Sequence, residues 1–311
     1  MKKVTIIGAG NVGATIAYTC ALEGLASEIL LIDIAKDKAE GEAMDIAQGS
    51  PYFPTAKITA GDYEDAVGSD VVVITSGIPR KADQTRLELA QVNVNVMKDI
   101  ASKIVKYAPD AKYIIVSNPC DVMTYAFHKF SGIPEERIIG SGTTLDTARL
   151  RSRVGELCGV TQKSVHAYVF GEHGDSSFVT WSLANVSGIP VTEYQQADEN
   201  AQKIDLDEVE QFMKKSGSIV IAKKRATFYA IAVSTCEIIK ALDKTVSTNL
   251  CVSVMAHGEY GVEGCCLSFL VSVNNTGVTN RVLVPLSDDE VAKFQKSAAA
   301  IKEVIHNVEL A

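Results

Sequence analysis

The chain reads as an α/β protein: an N-terminal doubly wound parallel sheet followed by a C-terminal α+β domain. Three observations predict this. Short β-branched runs alternate with longer helical patterns through the first half. A glycine-rich turn follows the first of those runs directly. Near residue 145 the alternation stops, and helices and strands arrive in blocks instead. Alternation is the mark of crossover units on a parallel sheet, and a switch to blocks marks an α+β unit.

In chain order, Val4–Ile7, Ile29–Asp33, Val71–Thr75, Tyr113–Ser117 and Arg137–Ile139 read as buried parallel strands. Helical patterns at Ala14–Leu25, Lys36–Gln48, Leu87–Tyr107 and Val122–Phe130 lie between several of them. Ala108-Pro109-Asp110 and Gly132-Ile133-Pro134 mark turns. A helix over Thr144–Cys158 then leads to strand-like Val165–Phe170 and Phe178–Leu183, followed by an acidic stretch near Glu193–Gln211. Gln211–Leu242 contains no proline and reads as a helix interrupted or kinked near Gly217. Strands are expected at Leu250–Ala256, Cys266–Val273 and Arg281–Val284, and an amphipathic helix from Ser287 onward. The domains expected are 1–142 and 143–311.

With 311 residues the chain can bury a large core. The formal charge of −8 argues against nucleic acid or an anionic membrane as partner. Seven cysteines, an odd number with no CxxC pair, fit a reducing cytoplasm better than a disulfide framework. The adjacent Cys265 and Cys266 read as core residues. Met1-Lys2-Lys3 before an apolar stretch superficially mimics a secretory signal, but Asn11 and three glycines interrupt it. No run of 18 apolar residues occurs. A cytoplasmic protein is expected, with no metal.

Val4-Thr5-Ile6-Ile7-Gly8-Ala9-Gly10-Asn11-Val12-Gly13 runs from a strand through GxGxxG into a helix. Gly8 permits the tight turn, Gly10 lets backbone approach a pyrophosphate, and Gly13 allows helix and strand to pack closely. The helix N-terminus favours the anion. Twenty residues after Gly13, Asp33 supplies a carboxylate for ribose hydroxyls and against a 2′-phosphate, which favours NAD over NADP. A lone GxGxxG is weak; strand, helix and trailing acid together make this the Rossmann fingerprint.

Gly171-Glu172-His173-Gly174-Asp175 places an imidazole in a glycine-flanked turn, and Leu145-Asp146-Thr147-Ala148-Arg149 offers a carboxylate and a guanidinium on one helical side. An imidazole holds or releases a proton near neutrality. A carboxylate on its other nitrogen fixes the tautomer, and a guanidinium forms a two-pronged pair with a carboxylate substrate. Asn118, at a strand's carboxyl end, can bond substrate or nicotinamide. Thr227 and Ile231, four apart, read either as pocket wall or as plain core.

Gly8–Gly13, Asp33, Gly77–Arg86, Ser117-Asn118-Pro119, Gly140-Ser141-Gly142, Asp146–Arg149 and Gly171–Asp175 together resemble the lactate/malate dehydrogenase family along essentially the whole chain. The resemblance implies His173, Asp146 and Arg86 as catalytic residues, with Arg86 on a mobile lid that polarises the reacting carbonyl and excludes water. It implies Arg149, Arg80, Asn118 and Thr227 as substrate contacts. Gly8, Gly10, Asn11, Val12, Gly13, Asp33, Ser141 and Ile231 would hold NAD.

On substrate, two signals oppose one another. Arg80 stands where the lactate branch usually has glutamine and the malate branch arginine, and a buried guanidinium calls for a second carboxylate. Glu172, Thr143–Arg149, Val165–Tyr168 and Thr227 resemble the lactate branch. The lid reads Lys81-Ala82-Asp83 where the family usually shows Lys-Pro-Gly. More of the chain points to pyruvate/L-lactate, with oxaloacetate/L-malate as the alternative and a catalytically silent NAD-binding protein as the non-enzyme alternative. Arg151 and His166 match positions that, in bacterial members, line an intersubunit site for fructose 1,6-bisphosphate. A homotetramer is likewise what the resemblance implies.

Overall fold

A computed structural model describes residues 1–78, 86–198 and 201–310, with the backbone alone at 86, 195 and 196. The first half contains β1 (Lys3–Ile7), α1 (Asn11–Leu22), β2 (Glu28–Ile32), α2 (Lys36–Gln48), β3 (Lys57–Ala60) and β4 (Val71–Ile74). It continues with α3 (Arg86–Ile104), β5 (Lys112–Ile115), α4 (Cys120–Ser131) and β6 (Ile138–Gly140). These six strands run parallel in the order β3-β2-β1-β4-β5-β6. The order reverses between β1 and β4, and ligands bind outside the carboxyl ends of strands at such a switch point. β1 and β4 are buried along their whole length, which is why their apolar runs are continuous rather than alternating.

The remainder begins with α5 (Thr144–Cys158), β7 (Val165–His166), β8 (Val169–Phe170), β9 (Phe178–Val179), β10 (Asn185–Val186), β11 (Ile189–Pro190) and α6 (Val191–Ala197). It ends with α7 (Leu206–Lys224), α8 (Tyr229–Leu242), β12 (Thr248–His257), β13 (Glu263–Asn274), β14 (Gly277–Arg281) and α9 (Asp288–Asn307). β12–β14 are antiparallel and continue the same sheet, β12 pairing with β6 at Ser253 and Gly140. One apolar core therefore runs from Val4 through Phe127 to Phe269 and Phe294. A second core around Leu150, Val165, Val186 and Met213 fills the space under α5 and α7. α9 opens on a reciprocal cap: Ser287 Oγ accepts from Glu290 N, and Glu290 Oε2 accepts from Ser287 N at 2.9 Å.

Several sequence expectations are corrected. The helix expected to break at Gly217 runs through it and ends at Arg225, whose φ of +71° forms a left-handed cap. A glycine costs a helix interior only about 1 kcal/mol, too little to stop one held by packing. Val165–Phe170 is two short strands in different sheets, divided at Ala167-Tyr168. Phe178–Leu183 is strand only to Val179, then a 3-10 turn over Trp181–Leu183. The strand expected at Arg281–Val284 lies earlier, at Gly277–Arg281. β3, β10, β11 and α6 were not foreseen. β3 is an edge strand whose only fully buried residue is Ile58. All seven cysteines are free and buried, Cys265 and Cys266 included. Among the described residues no helix is long and apolar enough to cross a membrane.

Candidate functional site

The turn from β1 into α1 has the conformation expected at Gly8 and the close packing expected at Gly13. A Cβ on Gly13 would lie 1.8 Å from the Gly8 carbonyl oxygen, so strand and helix meet only because position 13 has none. Gly8, at φ +107°, takes a conformation suited to glycine. Gly10 is the N-cap of α1, and a Cβ there would meet nothing within 4 Å. No side chain caps this helix, so its first N–H groups face open space with their partial positive charge. That cradle fits a dinucleotide pyrophosphate. Asp33 follows β2; its Oδ2 accepts from Ala9 N at 2.7 Å and its Oδ1 from Ala35 N at 2.9 Å. The acid is thereby fixed beside the glycine turn.

A pocket of about 340 Å³ opens next to this turn. Val12 of α1, Asn118 after β5 and Ser141 after β6 line it from the strand ends. Asp146 and Arg149 line it from α5, His173 from the loop after β8, Thr227 from the loop before α8 and Ile231 from the first turn of α8. Sequence-expected residues from five separated segments thus share one cavity. Gly8, Gly10, Asn11 and Gly13 belong to the adjoining turn and helix start, with Asp33 bonded beside them.

At the centre, His173 Nδ1 and Asp146 Oδ2 are 2.6 Å apart. Arg149 Nη1 donates to the other oxygen, Oδ1, at 2.9 Å. Asp146 is almost fully buried, while the His173 side chain keeps about 26% of its surface open to the pocket. Burial by itself would lower the His173 pKa, but the charge of Asp146 and its hydrogen bond outweigh it, with help from Asp121, so the imidazole holds its proton more tightly than usual. For Asp146, burial acts upward, and His173 and Arg149 together overcome it, leaving the carboxyl below the ordinary carboxylate range.

Supporting contacts hold the loops. Asn93 Oδ1 accepts from Ile78 N at 2.8 Å, and its Nδ2 donates to Asn118 O at 2.8 Å, so α3 ties the two strand-end loops together. Sequence reasoning missed the contribution of α7, from which Lys214, Gly217, Ser218 and Ile221 face the pocket. Their spacing of three and four is a helix-face signal, but nothing distinguished that face from an ordinary packed one. Asp121 was missed as well; it accepts from His173 N at 2.7 Å.

Arg80 lies outside the described residues, and so does the side chain of Arg86, whose backbone opens α3. Arg151 and His166 are placed apart from the pocket. Arg151 Nε donates to Ala167 O at 3.1 Å, and its guanidinium lies 5.1 Å from the Tyr168 ring centroid. His166 is exposed on β7.

Comparison with known proteins agrees with this geometry. Residues 2–140 match the model of the lactate/malate dehydrogenase NAD binding domain, and residues 143–310 that of the alpha/beta C-terminal domain. The chain is 42% identical to an L-lactate dehydrogenase of Thermoanaerobacter pseudethanolicus, over the full length of both. It is 41% identical to one from Acetivibrio thermocellus, covering all of this chain and 98% of that one. The crystal structure of a minor L-lactate dehydrogenase from Enterococcus mundtii superposes with a TM-score of 0.95 at 35% identity, covering 100% of this chain and 99% of the other. By sequence along its whole length and by fold, the chain belongs to the lactate/malate dehydrogenase family of NAD-dependent 2-hydroxy acid dehydrogenases.

Proposed function

We propose that the protein is an L-lactate dehydrogenase, interconverting pyruvate and L-lactate, with residues 1–142 serving the dinucleotide and 143–311 the substrate. The observation that carries the chemistry is the 2.6 Å contact between His173 Nδ1 and Asp146 Oδ2 inside the pocket. It commits one ring nitrogen to the carboxylate and leaves Nε2 for the substrate oxygen. Relatives named L-lactate dehydrogenase, matched end to end, support pyruvate over oxaloacetate.

Bound NADH supplies the hydride. As the 2-oxo carbon is reduced, the carbonyl oxygen takes the proton from His173 Nε2, and Asp146 stabilises the imidazolium before that transfer. Arg149, anchored through Nη1 to Asp146, holds the substrate carboxylate. Arg86 polarises the carbonyl, Asn118 bonds it, and Thr227 bounds the methyl side. Gly8, Gly10, Asn11, Val12 and Gly13 receive the pyrophosphate, Asp33 the ribose, and Ser141 and Ile231 the nicotinamide end. In lactate oxidation the same imidazole starts neutral and accepts the proton.

Parallel assays with pyruvate and oxaloacetate test the assignment. Higher kcat/KM with pyruvate, together with His173→Ala that binds NADH but loses most turnover, is the expected result. An oxaloacetate preference that collapses in Arg80→Gln would instead assign the malate reaction. Turnover unaffected by His173→Ala would remove the proton-transfer role.

The same reading includes a cytoplasmic homotetramer with fructose 1,6-bisphosphate bound near Arg151 and His166. Support comes from their placement on α5 and β7, which pack together, and from seven reduced cysteines. Light-scattering mass and pyruvate saturation curves with and without the sugar phosphate test both parts. A monomer, or superimposable curves, would remove the corresponding part.

A further inference from the structure

We infer that Asp121 is a positioning residue that fixes the backbone of the His173 loop and presents a second negative charge to the imidazole beside Asp146. Acids in the first turn of a helix ordinarily face that helix's own free N–H groups. Asp121 sits in the first turn of α4, yet its carboxylate turns elsewhere. Oδ2 accepts from the backbone N of His173 at 2.7 Å, 52 residues away in sequence, and Oδ1 accepts from Ser253 Oγ of β12 at 2.6 Å. Only about 3% of the residue is exposed.

Two accepted hydrogen bonds could be satisfied by a neutral side chain, and burying a carboxylate is costly. The charge itself is therefore the feature to be explained, and the imidazole next to it supplies the reason. Burial pushes the Asp121 carboxyl up to about 6, against the pull of Ser253 and of the His173 N–H. At neutral pH the ionised form is the major one. The charges facing His173 are Asp146 and Arg149 from α5 and Asp121 from α4, with Asp175 of its own loop and Lys214 of α7 lining the same pocket. Facing Asp121 are also the Glu172 carboxylate, which raises its pKa, and the thiols of Cys120, Cys265 and Cys266. Asp146 and Asp121 both favour the imidazolium, whereas Arg149 opposes it.

This rests on the assignment of His173 as proton donor. Its sign follows: with a neutral residue at 121, His173 gives up its proton at lower pH. Pyruvate reduction, which needs the imidazolium, then declines at lower pH, while lactate oxidation reaches its plateau earlier. The experiment titrates His173 by NMR of 13C-histidine-labelled, NADH-bound enzyme and records pH profiles of kcat/KM for wild type, Asp121→Asn and Ser253→Ala. Asn keeps the shape and an acceptor for the His173 N–H. In Asp121→Asn, both the titration midpoint and the alkaline limb should fall by about half a pH unit or more, a threefold change in proton affinity. Ser253→Ala should move both the same way by less, because Asp121 without its hydroxyl donor protonates more readily. An unmoved midpoint in Asp121→Asn overturns the inference, and if that variant does not fold, an unmoved midpoint in Ser253→Ala overturns it. A wild-type midpoint with no counterpart in the wild-type rate profile would instead overturn the proton-donor assignment.

Discussion

Gly217 lies against the guanidinium of Arg149: a Cβ at position 217 would stand 3.3 Å from Nη2, 3.7 Å from Nη1 and 3.8 Å from Cζ. α7 carries this glycine well inside its 19 residues, where alanine would favour the helix by about 1 kcal/mol. A local preference set aside at a pocket wall points to what the missing methyl makes room for. Gly217→Ala should keep or raise the melting temperature while displacing the guanidinium by a few tenths of an ångström. KM for pyruvate should rise by about threefold to tenfold, with NADH affinity unchanged, since only the proposed carboxylate clamp is disturbed. Steady-state kinetics with calorimetric NADH titration check this; an unaltered KM would show that Arg149 has slack at this contact.

Asp146→Asn removes the charge that offsets the burial of His173. The imidazole then deprotonates at lower pH, so pyruvate reduction at neutrality should fall by about 10²- to 10⁴-fold. Lactate oxidation, which starts from the neutral ring, should lose less at the same pH. The stability consequences follow from the two directions of shift. Asp146, held low, contributes stability that is present above roughly pH 4 and lost as pH falls through its folded pKa. His173, held high, contributes stability that is present below about pH 6.5 and lost as pH rises through its folded pKa. Chemical denaturation of wild type and variant across pH 3–9 should therefore show the gap between the two curves widest between about pH 4 and 6.5, narrowing towards acid pH as Asp146 protonates and shrinking only in part towards pH 9, where the pairing of Asp146 with Arg149 remains.

The glycines of the β1–α1 turn separate folding from binding. A Cβ at Gly13 would meet the Gly8 carbonyl oxygen at 1.8 Å and Thr75 Oγ1 at 2.9 Å, and neither backbone nor core can yield. Gly13→Ala should lower the melting temperature and abolish measurable NADH binding together. Gly10 has an ordinary φ of −74° and open space around its missing Cβ. Gly10→Ala should melt like wild type yet bind NADH about tenfold or more weakly, because the methyl occupies the approach of the pyrophosphate. Equal NADH affinities for Gly10→Ala and wild type would move the pyrophosphate away from this helix end.

What the sequence made legible follows from how strongly each element is determined by its own residues. β1, β2 and β4 are short, almost wholly buried runs between turn residues, so their apolar stretches could be read directly. Asp146 and Arg149, three apart on an expected helix, had a spacing that implied proximity, whereas His173, 27 residues on, was joined to them only by the family resemblance. β7, β8, β10 and β11 have two residues each, too few to show any period, and exist because α5 packs on β7 and β8 and α6 on β10 and β11. Asp121 was hidden for another reason: an acid in a first helical turn is explained locally, and only the fold reveals that it faces His173. The α7 wall was hidden because Lys214, Gly217 and Ser218 read as an unremarkable helix face. Gly217 itself misled, since glycine is the usual sign of a break and the break stands at Arg225.

That break makes a last prediction. Arg225 caps α7 at φ +71° and ψ −22°, its N–H donating to Ile221 O at 2.7 Å. Glycine is the usual residue in this conformation, and an L side chain there costs about 1 kcal/mol. Beyond the cap, Lys224 Nζ sits 3.5 Å from the Phe228 ring centroid and 4.0 Å from that of Tyr229, a contact that bridges α7 and α8 without using the Arg225 side chain. Arg225→Gly should therefore relieve strain at the cap and leave the bridge intact, although glycine also loosens the unfolded chain and returns part of the gain. The net effect expected is a rise of about 2 °C in melting temperature. Thr227 and Ile231, just past the cap, keep their positions in the pocket, so kcat/KM for pyruvate should stay within about twofold of wild type. A lower melting temperature would mean that the arginine side chain contributes more in contacts than its backbone loses in strain. A large fall in kcat/KM at unchanged stability would mean that the rigidity of this cap, rather than its conformation alone, holds Thr227 against the substrate.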